Sequence, residues 1–144
     1  MSMFNAIEVL ASSLSAARTR VNVLASNIAN AETTRTPEGG PYKRRDVVQV
    51  AQSIQSNFSS VLDRMSLMRP SIAAVVEDQS DPKLVYKPGH PDANDQGYVA
   101  YPNVNVVSSM TDLMSASRLY QANVQATQTA RELESQAARI VARF

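Results

Sequence analysis

The chain has 144 residues, 44% of them apolar and 19% charged, and its 14 basic and 13 acidic side chains leave a formal charge of +1. That balance excludes a chain disordered throughout and a nucleic-acid footprint. The absence of cysteine excludes a disulfide scaffold and a thiolate zinc site. No apolar run approaches the roughly 18 residues of a membrane helix, and the first residues lack the pattern of a secretory signal, so a soluble chain without a cleaved signal is expected.

From the amino terminus, Met3, Ile7, Leu10, Leu14, Ala17, Val21, Leu24, Ile28 and Ala31 recur at alternating spacings of four and three. Such a heptad seam predicts one long helix with a single apolar edge, about 42 Å in length. Charge is absent between Glu8 and Arg18 and between Arg20 and Glu32, although exposed helix faces normally carry Glu and Lys. Ser12, Ser13, Ser15, Asn22, Ser26 and Asn27 make these faces polar without ions, and desolvating such groups costs far less than desolvating a charge.

At Thr33 to Pro41 the pattern changes, and Pro37, Gly39 and Gly40 predict the end of the helix followed by a tight turn. Short strand-like segments follow at Asp46–Ala51, Ile72–Val76, Leu84–Tyr86 and Tyr98–Tyr101, each bounded by turn residues, and predict a small β element. Gln52 to Pro70 carries no clear signal and reads as a loop or a short extra helix.

A second seam, Val106, Met110, Leu113, Ser117, Tyr120, Val124, Thr127, Ala130, Leu133, Ala137, Ile140 and Phe144, predicts a helix over 105–142, about 57 Å long. Its spacing falls to three twice around Thr127, which shifts the stripe locally. Asn103 or Asn105 is expected to cap it, with Asp112 near its positive end. Arg118 to Arg131 again encloses no charge. A compact domain of this size has a radius of gyration near ~15 Å, so helices this long need neighbours to bury their edges.

The expected fold class is therefore mainly α: two long terminal helices packed as an antiparallel coiled-coil-like pair around a small irregular β-containing middle. Residues 1–33 and 105–144 would form a helical core and 34–104 the β/loop segment. Ile7, Leu10, Leu14, Val21, Leu24, Ile28, Met110, Leu113, Tyr120, Val124, Leu133 and Ile140 are the candidate subunit-interface positions.

Chemical sites are weak by comparison. His90, the only histidine, sits in a Pro-Gly-His-Pro-Asp turn and reads as a turn residue. Asp92, Asn94 and Gln96 imitate the opening of a calcium loop, but its twelfth position is Asn103 instead of Glu. Glu77, Asp78 and Asp81 read as a solvated acidic loop. No catalytic residue, metal site or cofactor is expected.

Ser26-Asn27-Ile28-Ala29-Asn30-Ala31-Glu32-Thr33 resembles the amino-terminal signature of the flagellar rod and hook axial proteins, in which Ser26, Asn27, Ala29, Asn30, Ala31 and Thr33 carry the motif. Pro37–Arg44, Leu84–Ala93, Gly97–Asn105 and Ser115–Val124 are similar to the proximal rod members of that family, while Asp63–Pro70 and the Arg143-Phe144 ending depart from it. The resemblance implies a structural rod subunit, exported by the flagellar type III apparatus and assembled helically into the torque-transmitting shaft that spans the periplasm. Implied partners are proximal and distal rod proteins and copies of itself, with the export-gate adaptor and surrounding ring proteins as further candidates; no nucleic acid or small-molecule substrate is implied. A coiled-coil adaptor is the alternative from the seams alone.

Overall fold

The computed structural model describes residues 3–53 and 68–141, with side chains described from residue 5 to residue 140 within those spans. In chain order it has helix α1 (Met3–Ala29), strands β1 (Arg45–Ser53), β2 (Met68–Glu77), β3 (Lys83–Tyr86) and β4 (Tyr98–Tyr101), and helix α2 (Val106–Val141). The side chains of Met3 and Phe144, which end the two seams, lie outside the described residues, as does most of the Gln52–Pro70 segment. Its two ends, Gln52–Ser53 and Met68–Pro70, are strand.

Both long helices form where the heptad spacing puts them. Asn105 caps α2, its side-chain carbonyl accepting the Ser108 amide at 3.1 Å. Asn103 has another task, donating to the Ser80 hydroxyl at 3.0 Å. Asp112 lies beyond the first turn of α2, which carries no acidic residue, so its expected support of the helix dipole does not apply; that effect fades within one turn.

The β segment is larger than its apolar stretches suggest and forms two separate antiparallel pairs. Strands β1 and β2 pair from Arg45↔Glu77 to Ser53↔Met68, with a register shift between Val48 and Gln49. Strands β3 and β4 pair from Lys83↔Tyr101 to Tyr86↔Tyr98. The turn at Asp78–Pro82 separates them: the Ser80 amide and hydroxyl both donate to Asp78 Oδ1, at 2.9 and 2.7 Å. Pro82, without an amide hydrogen, then cannot continue a ladder. Polar Gln52, Ser53 and Arg69 are drawn into the first pair because a ladder bonds the backbone whatever the side chain.

Helix α1 is the hub, packing against α2 and against both strands of the β1–β2 hairpin. Small side chains permit the close approach: Ala16, Ala17 and Ala116 are the buried alanines of the helices. In the second pair, Val99 is fully buried while Leu84, Tyr86 and Tyr98 face outward. Gly97, immediately before β4, has φ near +80°, a conformation that favours glycine, and a Cβ there would stand 2.9 Å from the edge of the Tyr86 ring.

Candidate assembly surfaces and the helix-to-hairpin junction

The Ser26–Thr33 segment folds into a compact exit from α1. The Asn30 amide and its side-chain Nδ2 both donate to the Ser26 carbonyl, at 3.0 and 2.9 Å, satisfying an acceptor that the ending helix leaves open. Thr33 returns to Asn30 twice, amide to carbonyl at 3.1 Å and hydroxyl to Oδ1 at 3.2 Å. Tyr42 then donates its amide to the Thr33 carbonyl at 3.0 Å. Between them, the Thr36 amide donates to the Gly40 carbonyl at 2.9 Å, a tight loop that Gly39 and Gly40 complete with φ of 93° and 74°.

Asn27 lies at the centre of this junction. Its Nδ2 donates to the Arg45 carbonyl at 2.8 Å, and its Oδ1 accepts the Arg45 amide at 2.9 Å and the Tyr42 hydroxyl at 2.9 Å. Both lone pairs of the carboxamide oxygen are used. Neither the burial nor the partners of Asn27 are legible in the sequence, since Arg45 is 18 positions away; the only local hint is an amide side chain immediately before Ile28 in the seam.

The hairpin is held at a second point. Arg69 on β2 reaches Glu8 near the start of α1 at 2.6 Å. From Asn27 to Glu8 the helix extends about 28 Å, and β1 from Arg45 to Gln52, the neighbour of Arg69 across the ladder, covers about 23 Å. The long Arg69 side chain spans the remainder. The hairpin therefore lies lengthwise on α1, and Ser12, Ser15 and Ala16 face Arg69, Pro70 and Ile72 across a cleft of about 240 Å³.

At the hairpin base Arg45 pairs with Glu77 at 3.0 Å, and Arg44 with Asp46 at 2.8 Å and Asp78 at 3.4 Å. Bonds from the Ser80 hydroxyl and amide, aided by the Arg44 charge, hold the Asp78 carboxyl below its ordinary value of 3.8. Just after β3 the ammonium of Lys87 donates to the Tyr101 hydroxyl at 3.0 Å, which raises the Lys87 pKa.

Of the seam positions, Ile7, Leu10, Leu14, Val21, Leu24, Ile28, Leu113, Tyr120 and Val124 are half-buried within the chain. Met110, Leu133 and Ile140 are exposed, by 53%, 54% and 60%. Exposed apolar side chains lie at both ends of α2, Val107, Met110 and Met114 near its start and Leu133 and Ile140 near its end, and at 36 residues it is longer than the 27-residue α1. The uncharged stretch of α2 also presents Gln121, Gln125, Gln128 and Thr129 outward.

The remaining sequence candidates serve turns. His90 Nδ1 accepts the Asp92 amide at 3.1 Å, Asp92 accepts the Thr34 hydroxyl at 2.8 Å, and Asn94 accepts the Gln96 and Tyr98 amides. Among the described residues no cluster of three metal-ligating side chains occurs, and no helix is long and apolar enough to cross a membrane.

Residues 7–35 match the family described as flagella basal body rod protein, and residues 95–140 match flagellar basal body rod FlgEFG protein C-terminal. These two matches cover the helix-to-hairpin exit and most of α2. Over nearly the whole chain, similarity extends to the flagellar basal-body rod protein FlgC of Bacillus subtilis, 43% identical over 138 residues that cover 88% of this chain and 89% of the relative. The FlgC proteins of Escherichia coli O6:H1 and Salmonella typhimurium are 41% and 38% identical, each with 92% of this chain and 93% of the relative covered. The chain belongs to the FlgC family. It is a structural subunit of the flagellar basal-body rod and not an enzyme, and it assembles with other rod and basal-body proteins. Family membership sets aside the adaptor alternative. It also gives the Ser26–Thr33 motif its setting: in this FlgC-family chain the motif is the joint between the helical layer and the β segment.

Proposed function

We propose that this FlgC-family subunit joins a helical, torque-transmitting rod that spans the periplasm, after delivery by the flagellar type III export apparatus. The proximal and distal rod proteins and further copies of itself are its neighbours, with the export-gate adaptor and the ring proteins as outer contacts. Residues 1–33 and 105–144 form the packed helical core, and 34–104 form a separate β segment. Within the core, α1 and α2 run antiparallel as a coiled-coil-like pair. A cleft in which Asp112, near the start of α2, stands beside Arg20, Val23 and Leu24, near the end of α1, supports that orientation.

The carrying observation is the unfinished burial of α2. Met110, Leu133 and Ile140 stay more than half exposed, and the exposed Gln121, Gln125, Gln128 and Thr129 carry no charge. A solvated helix has no use for that combination, whereas a helix enclosed by other helices does. Seam positions on both helices, from Ile7 to Ile28 and from Met110 to Ile140, supply the apolar surface, and burial at roughly 25 cal/mol per Å² across large interfaces supplies the stiffness. The test is complementation of a strain lacking the subunit, with basal bodies purified and probed for this chain. Incorporation into the rod is expected; a soluble species of fixed small mass that never enters basal bodies would contradict the reading.

A further inference from the structure

Asn27 is the most buried polar residue of the described chain, at 1% exposed. A side-chain amide near a helix end commonly serves the backbone of its own element, as Asn30 does here for Ser26. Asn27 instead exchanges two hydrogen bonds with Arg45, donating to its carbonyl and accepting from its amide. That is the pattern by which residues pair across an antiparallel ladder. It fixes the position and the plane of the first residue of β1.

From Arg45 the ladder carries that orientation to Glu77 and along the hairpin to Arg69. The other mount, Arg69 with Glu8, has side chains 35% and 44% exposed, and an ion pair so exposed is weak and screened by salt. Both strands also pack along α1, but Asn27 is the mount that is buried and hydrogen-bonded in a fixed geometry. On the face turned away from α1 the hairpin carries Val48, Val50 and Val76, all 43–48% exposed.

We propose that Asn27 is the positioning residue that sets the hairpin angle on α1, and through it the placement of these valines against the neighbouring subunit in the rod. This rests on the rod reading above. A single peptide-like clasp suits the task because it admits one geometry, whereas an apolar contact at the same place would let the hairpin slide.

The experiment compares full-length wild type with Asn27→Ala, Arg45→Pro and Arg45→Ala, scoring the amount of each in purified basal bodies against the amount exported. Arg45→Pro deletes the strand amide that Asn27 accepts, at a strand start where proline is tolerated. Arg45→Ala keeps the clasp and removes only the guanidinium. Incorporation should fall about a hundredfold for Asn27→Ala, about tenfold for Arg45→Pro and within about threefold for Arg45→Ala. In the purified Asn27→Ala chain the Arg45 amide should exchange fast while residues 14–23 of α1 keep wild-type rates. Normal incorporation of Asn27→Ala, equal failure of Arg45→Ala and Arg45→Pro, or loss of slow exchange throughout α1 would each overturn the assignment. Absence of the wild-type chain from basal bodies would instead overturn the rod reading on which it rests.

Discussion

The junction around Asn27 and the far end of α2 treat surface in opposite ways. At the junction every polar atom of the Asn27 carboxamide except one amide hydrogen has a partner, and Asn27 and Tyr42 are buried. At the far end of α2, residues 135–140 are all exposed, Ile140 included. One region is finished by the chain alone, while the other is left open. A subunit that must be rigid only in its assembly needs both: a joint that fixes the relation of its parts, and apolar edges held in reserve for its neighbours.

The sharpest way to break this contrast is Leu133→Asp. Leu133 is 54% exposed, so the free chain should keep its stability to within about 0.5 kcal/mol in urea unfolding. Burying an unpaired carboxylate between subunits should nevertheless lower rod incorporation at least about a hundredfold. Normal rods would remove Leu133 from the interface. Leu24→Asp, at a half-buried position, should by contrast lower both free-chain stability and incorporation.

On the self-contained side, Gly97→Ala should destabilise the free chain by about 2 kcal/mol, through positive φ and the close Tyr86 ring. Tyr42→Phe should cost about 1 kcal/mol, since it removes one donor from Asn27 and leaves the Arg45 clasp intact; thermal unfolding measures both. Arg69→Gln should cost about 0.5 kcal/mol at low salt and less at high salt, as expected of an exposed pair.

The smallest effect concerns pH. Asp78 has a folded pKa below its ordinary 3.8, so folding favours its ionised form, chiefly through the Ser80 hydroxyl and amide and with help from Arg44. Its contribution is complete above that ordinary value and is lost as pH falls through the folded one. Titration of the Asp78 carboxyl by NMR should show a depressed midpoint that returns toward normal in Ser80→Ala.

The two helices were legible because a heptad stripe is a local signal, and a cap at Asn103 or Asn105 was legible because capping acts over three residues; the choice of Asn105 came from the structure. Four strand nuclei were legible from Val and Tyr content, yet their pairing was not: Arg45 meets Glu77 across 32 positions, and no local pattern encodes that distance. The Ser26–Thr33 motif stood out as a signature, but its physical content did not. Asn30 works on its own turn, whereas Asn27 works on a strand 18 positions away, and the two look alike in sequence. Which face of the hairpin its valines take was not legible either, because composition cannot say which face a neighbour covers.

The central claim is that the chain completes its junction alone and leaves the end of α2 to its neighbours. Hydrogen exchange on the free chain and on purified basal bodies tests it most directly. Slow exchange at Arg45 in both states, with residues 131–140 fast in the free chain and slow in the rod, is the predicted result. Equal exchange of residues 131–140 in the two states would contradict it.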